Sequence, residues 1–210
     1  MTDAPPTHVV PLEAGASAEN PPCPACGEPL FGWLAEQEGL AGPVSRCESC
    51  GLGVVGAGAD SEQALRALDR LTGGRRGPRF ANRASYACAL GSAGWAGLEP
   101  GARYLFTVEA VRRLVARRDQ VVRRVRWQPL SSLAATWQTL LNSVTFGHNV
   151  VLGAFGRAGA APADAAWKRT IDVLVSVIGA LPALAIALPV ELAGGIFGRG
   201  AIVALRLELL

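Results

Sequence analysis

Histidine and charge are both scarce in this 210-residue chain. Its two histidines, His8 and His148, have no carboxylate near them in sequence. No Ser/His/Asp arrangement is visible, and no catalytic residue can be named. Glu109 and Asp119 read as solvated helix charges. Charged residues make up 18 % of the chain against 50 % hydrophobic, which excludes a disordered acidic or basic protein. A net charge of +3 is too small to argue for nucleic acid, and no nucleic-acid partner is expected. The N-terminus lacks a basic region followed by an apolar core. Residues 1–20 therefore read as a disordered Pro/Ala-rich lead, not a secretory signal. The cysteines are then expected to face a reducing cytosol, where thiols bind metals more often than they pair.

What the chain does have is two matched cysteine pairs. Cys23-Pro-Ala-Cys26-Gly27 is followed by Cys47-Glu-Ser-Cys50-Gly51, with twenty residues between Cys26 and Cys47. Each Cys-x-x-Cys makes a tight turn that aims two thiolates at one point, and the following glycine supplies the positive φ such a turn needs. Leu30 to Leu34 reads as a strand between the turns and Gly39 to Pro43 as a loop. Disulfides or a redox pair are the competing reading, but a redox Cys-x-x-Cys normally stands singly at a helix start. Cys23, Cys26, Cys47 and Cys50 are assigned as ligands of one zinc ion in a zinc ribbon. Four sulfurs leave no open position, so the zinc is structural. Cys88 is left as a small buried hydrophobe.

Beyond the ribbon, Ser61 is the expected cap of a helix with Leu65, Leu68 and Leu71 on one face, ended by Gly73-Gly74. Arg75 to Phe80 makes a poor strand, because Gly77 and Pro78 fall inside it. Thr107 caps a second helix with a buried stripe of Val108, Val111, Leu114 and Val115. Val121 to Trp127 alternates apolar and basic residues as a half-buried strand does. Seven arginines between Arg112 and Arg126, beside a nearly uncharged C-terminus, suit a membrane surface better than DNA.

Several of these segments resemble class I S-adenosylmethionine-dependent methyltransferases. Leu71-Thr-Gly-Gly-Arg is similar to the "L-x-P-G-G-x" turn before their fifth strand, with Asn82 at the "P-N" position after it. Trp95, Leu98-Glu-Pro100 and Tyr104 to Thr107 resemble the "W-x-x-L-D-x-P" and "L-x-x-F-T" stretch, and Thr107 to Trp127 the helix and strand that follow. Gln138, Asn142 and Asn149 match a "Q-S-L-L-N … N" helix, and a Cys-x-x-Cys ribbon also occurs in that group. The departure is large. Such an enzyme needs a strand running into a Gly-rich turn to hold its cofactor. Here fewer than thirty residues separate Cys50 from the fifth-strand position. Gly51-Leu-Gly53-Val-Val-Gly56 continues the zinc knuckle and does not follow a strand. S-adenosylmethionine binding is not expected of this chain alone.

Trp137, Leu140, Leu141, Val144 and Val151 share one helical face, with Gln138, Asn142 and His148 off it. A core helix and an interfacial helix both fit that pattern. After an Ala/Gly linker, Val173 to Val190 is a charge-free run of eighteen residues, the length at which a membrane helix becomes a candidate. Trp167, Lys168 and Arg169 precede it as an interfacial anchor would. Pro182 and Pro189 interrupt it, and Leu192 to Leu205 adds a second apolar stretch, so a re-entrant hairpin or a bent span is expected. Buried helices are the alternative, though so small a chain has little core to surround them.

The expected fold class is α+β: an N-terminal zinc ribbon, a truncated remnant of the class I methyltransferase fold, and C-terminal hydrophobic helices. The divisions are 1–20 lead, 21–56 ribbon, 60–152 remnant, 153–166 linker and 167–210 membrane-associated tail. The expected function is a non-catalytic binding or scaffold module at the cytoplasmic side of the membrane, with a protein partner open. Two alternatives stand beside it: a methyltransferase active only with a cofactor-binding partner subunit, and a truncated relic without function.

Overall fold

A computed structural model of the chain describes residues 20–35, 40–72, 77–155 and 165–210. The lead up to residue 19 with His8, the glycines Gly39, Gly73 and Gly74, Arg75, Arg76 and residues 156–164 of the linker lie outside the described residues. The described elements in chain order begin β1 (Leu30–Leu34), β2 (Val44–Cys47), β3 (Gly53–Val55), α1 (Ser61–Arg70), β4 (Arg79–Ala81), α2 (Tyr86–Gly91) and β5 (Tyr104–Leu105). They continue α3 (Val108–Ala116), β6 (Gln120–Trp127), α4 (Pro129–Asn142), α5 (Val150–Ala154), α6 (Ala166–Ile196) and β7 (Ile202–Leu209). The protein is mixed α+β, with the four ribbon cysteines close together and one long apolar helix near the C-terminus.

Two antiparallel sheets organise it. The ribbon sheet has the order β1-β2-β3-β5, so a strand from the middle of the chain completes it. The second sheet has the order β4-β7-β6, and β7 is antiparallel to both neighbours. One hydrophobic core joins the two. Cys23, Cys47, Cys50, Leu52 and Val54 of the ribbon pack in a single cluster with Leu65 and Leu68 of α1, Val111 and Leu114 of α3, and Val203 and Leu205 of β7. The helix caps follow from local chemistry. Asp60, one residue before the expected Ser61, accepts the Gln63 N–H at 2.7 Å. Thr107 accepts the Ala110 N–H at 3.0 Å, as expected.

Four expectations need correction. The poor strand at 75–80 does form, but only over Arg79–Ala81, once the positive φ of Gly77 and the missing N–H of Pro78 lie behind it. The alternation of Val121 to Trp127 is broken by a register shift between Val122 and Arg124, so Val125 is turned outward. The glycine-rich stretch after Cys50 forms β3; a side chain at Gly53 would come within 2.9 Å of Leu105 Cβ. The tail is not a pair of helices. α6 runs uninterrupted through Pro182 and Pro189, and Leu192 to Leu205 divides into its last turn, a loop and β7. Glycines in this stretch clear space for one ring, since side chains at Gly195 and Gly200 would strike Trp127 at 2.5 and 2.2 Å.

The expected apolar face of α4 is only partly inward: Leu141 is buried, Trp137 and Leu140 are half-buried. α4 buries Ser132, Thr136, Gln138 and Thr139 along with Ala135 and Leu141, while Val144 just beyond it is exposed. α6 buries Asp172, Ser176, Ala183, Ala187, Glu191 and Gly194 and exposes its large aliphatic side chains. The two helices pack antiparallel through these polar and small residues. Trp137 Nε1 donates to the Ala180 carbonyl at 2.9 Å. Glu191 accepts from the Thr136 hydroxyl, from Trp127 Nε1 at 3.3 Å and from Ala201 N–H at 3.3 Å.

Candidate metal centre

The two knuckles are built alike and sit together at the open end of the β1–β2 hairpin, one before β1 and one at the end of β2. In the first, Gly27 N–H donates to the Cys23 carbonyl at 2.8 Å and Cys23 N–H to the Glu28 carbonyl at 2.7 Å. In the second, Gly51 N–H donates to the Cys47 carbonyl at 3.0 Å and Cys47 N–H to the Leu52 carbonyl at 2.9 Å. Gly27 and Gly51 hold φ of 82° and 76°, the left-handed region that glycine enters without penalty. β1 pairs Leu30 with Cys47, which brings the start of one knuckle beside the other.

All four sulfurs lie within 4.8 Å of one another. Cys23 Sγ is 3.5 Å from Cys50 Sγ, and Cys26 Sγ is 3.4 Å from Cys47 Sγ. These separations are far beyond the roughly 2.05 Å of a disulfide, and the cysteines are free thiols. They are close to the edge of about 3.8 Å expected for sulfurs 2.3 Å from a tetrahedral zinc. Cys23, Cys47 and Cys50 are buried and Cys26 is half-buried. Backbone hydrogen bonds reach Cys23 from Ala25 and Cys26, Cys26 from Glu28, and Cys50 from Leu52, each favouring the thiolate. Sharing a hydrogen bond with Cys50 brings the Cys23 thiol down to about 5 and pushes Cys50 up. A bound cation relieves that competition, because it stabilises all four thiolates at once. The donor set fits a structural divalent ion such as zinc. Cys88 lies outside the cluster, and burial pushes its thiol up to about 12, as suits an inert core residue.

Sequence reasoning missed the residues that fasten this centre to the body. Thr107 Oγ1 donates to the Cys50 carbonyl at 2.6 Å while capping α3. Arg83 donates to the Gly51 carbonyl and stacks 5.1 Å from the Trp33 ring centre. Ser61 donates to the Pro24 carbonyl at 2.7 Å and accepts from Arg117. Thr107 was visible as a cap; nothing local announced its second bond. The Gln138, Asn142 and Asn149 trio does meet. Gln138 donates to Asn142 Oδ1 at 2.8 Å, and Asn142 donates to Asn149 Oδ1 at 3.1 Å and to the Gly94 carbonyl at 2.9 Å. These bonds hold loop to helix, and each side-chain amide spends its donors on protein groups. No known family, curated protein or solved structure matches the chain.

Proposed function

We propose that this protein is a non-catalytic, metal-stapled module that associates with the inner face of a membrane through α6 and recognises a partner through its ribbon. The observation that carries the membrane part is the sidedness of α6. Val177, Ile178 and Leu181 are 70, 68 and 77 % exposed, while Asp172 and Glu191 on the same helix are 1 and 2 % exposed. Burying one such aliphatic side chain is worth about 1.5–3 kcal/mol, so a helix that points them outward is arranged for an apolar surround. The run from Val173 to Val190 measures about 27 Å at 1.5 Å per residue, against about 30 Å of hydrocarbon. At its start Trp167 and Phe146 meet edge to face at 5.7 Å under Lys168, an aromatic and basic anchor of the interfacial kind.

The relationship to class I methyltransferases belongs to the same proposal. β4 and β6 lie parallel on either side of the antiparallel β7, with α2, β5 and α3 in the connection between them. The ribbon sheet has no counterpart in such a core. The test is flotation of the zinc-loaded protein with vesicles containing anionic lipid. Wild type is expected to float, and Val177→Asp with Leu181→Asp to reduce the floated fraction more than tenfold with metal content unchanged. Equal flotation of both proteins removes α6 as the membrane element.

A further inference from the structure

We infer that α6 lies flat within one leaflet, with both of its ends on the same side of the bilayer. The inference rests on the membrane reading above and concerns how the helix sits. At 31 residues α6 is about 46 Å long, enough to cross, but it is fastened to one body along its length. Near its start Asp172 accepts the Phe146 and Gly147 N–H groups at 2.7 and 2.9 Å. At its middle the Ala180 carbonyl holds Trp137. Near its end Glu191 holds Thr136, Trp127 and the Ala201 N–H. From Asp172 to Glu191 is about 29 Å of helix, the whole thickness of the hydrocarbon. If α6 spanned, α4 would be drawn in beside it. α4 has 14 residues, about 21 Å, too short to cross, and it follows directly on exposed Arg123, Arg124 and Arg126 of β6. Five residues after α6 the chain is already in β7, the central strand of the second sheet.

Charge gives the same answer. Lys168 and Arg169 stand at the first end of α6; at the second stand Arg199 and, through Trp127 packed on Gly195, Arg126. Basic residues at both ends favour placing both on the cytoplasmic side. They also face the phosphates of anionic lipid, at about 1 kcal/mol for each charge near the surface. The polar stripe of α6 turned toward α4 and the aliphatic stripe turned away make a helix divided between protein and acyl chains.

The experiment uses the full chain in a Cys88→Ala background, expressed in bacteria and recovered in inside-out membrane vesicles. Ala166→Cys and Arg199→Cys mark the two ends, and bound metal confirms that each variant has folded. A membrane-impermeant maleimide is applied before and after detergent. Both ends are expected to label equally in intact vesicles, with a before-to-after ratio near one. Protection of one end until detergent is added means a span; it overturns the flat placement and leaves membrane association standing. A chain that stays soluble, or sediments as an oligomer with no lipid, overturns both, the second case because another copy then covers the aliphatic face.

Discussion

The ribbon and the α4–α6 layer stabilise themselves in opposite ways. In the ribbon, small strands converge on four sulfurs; Cys47 of β2 and Val54 of β3 pack with α1 and α3, while Val44 and Val55 pack with α2 and Trp95. In the α4–α6 layer, polar groups make the contact and the hydrophobic residues face out. The first region is a hydrophobic core beside four clustered thiols; the second turns polar and small residues inward and aliphatic ones outward. Hydrophobicity alone therefore does not say which face of a helix meets the protein, because buried hydrogen bonds can decide it.

The largest effect is expected from the metal. Structural zinc sites contribute about 10–16 kcal/mol of apparent binding free energy, so Cys50→Ser, or a strong chelator on wild type, should abolish metal binding and the cooperative unfolding of the ribbon. Metal analysis and thermal melts followed by circular dichroism check this; an unchanged melt would mean that the ribbon stands on packing alone. Next comes the polar seam. Glu191→Gln turns one of the two accepting oxygens into a donor, opposing either the Thr136 hydroxyl or the Trp127 and Ala201 N–H groups, and is expected to cost about 1–3 kcal/mol, measured by urea unfolding, with metal content unchanged. Thr107→Val removes both the α3 cap and the bond to Cys50 and is expected to cost about 1–2 kcal/mol, with faster loss of metal to a chelator as its separate signature.

The smallest effect concerns pH. Burial lowers the pKa of His148, so the folded protein resists the proton that the unfolded chain accepts. Its contribution is therefore fully present above the ordinary histidine pKa of about 6.5 and is lost as pH falls below it. His148→Gln should flatten the stability-versus-pH curve below about pH 6.5. Parallel curves for the two proteins would remove His148 from the account.

Much of the ribbon was legible because its signals are local. The spacing of Cys23, Cys26, Cys47 and Cys50, the glycine after each pair and the strand Leu30–Leu34 all lie within one short stretch. The caps of α1 and α3 were legible to within a residue for the same reason. The strand at Arg79–Ala81 was harder, because three residues carry little pattern and their order comes from pairing with β7, more than a hundred residues away. Arg83 and Ser61 gave no local sign of their bonds to the knuckles.

The spacing of the cysteines and a charge-free apolar run of helical length were legible in the chain, since turn chemistry and hydropathy are properties of adjacent residues; that the run forms one unbroken helix through Pro182 and Pro189 was not. Long-range contacts were needed to make the last apolar stretch the central strand β7, to close the ribbon sheet with β5, and to turn Asp172 and Glu191 of α6 inward. Each of those outcomes depends on which donors lie opposite a carboxylate or a strand edge, and those donors come from parts of the chain that meet only in the fold.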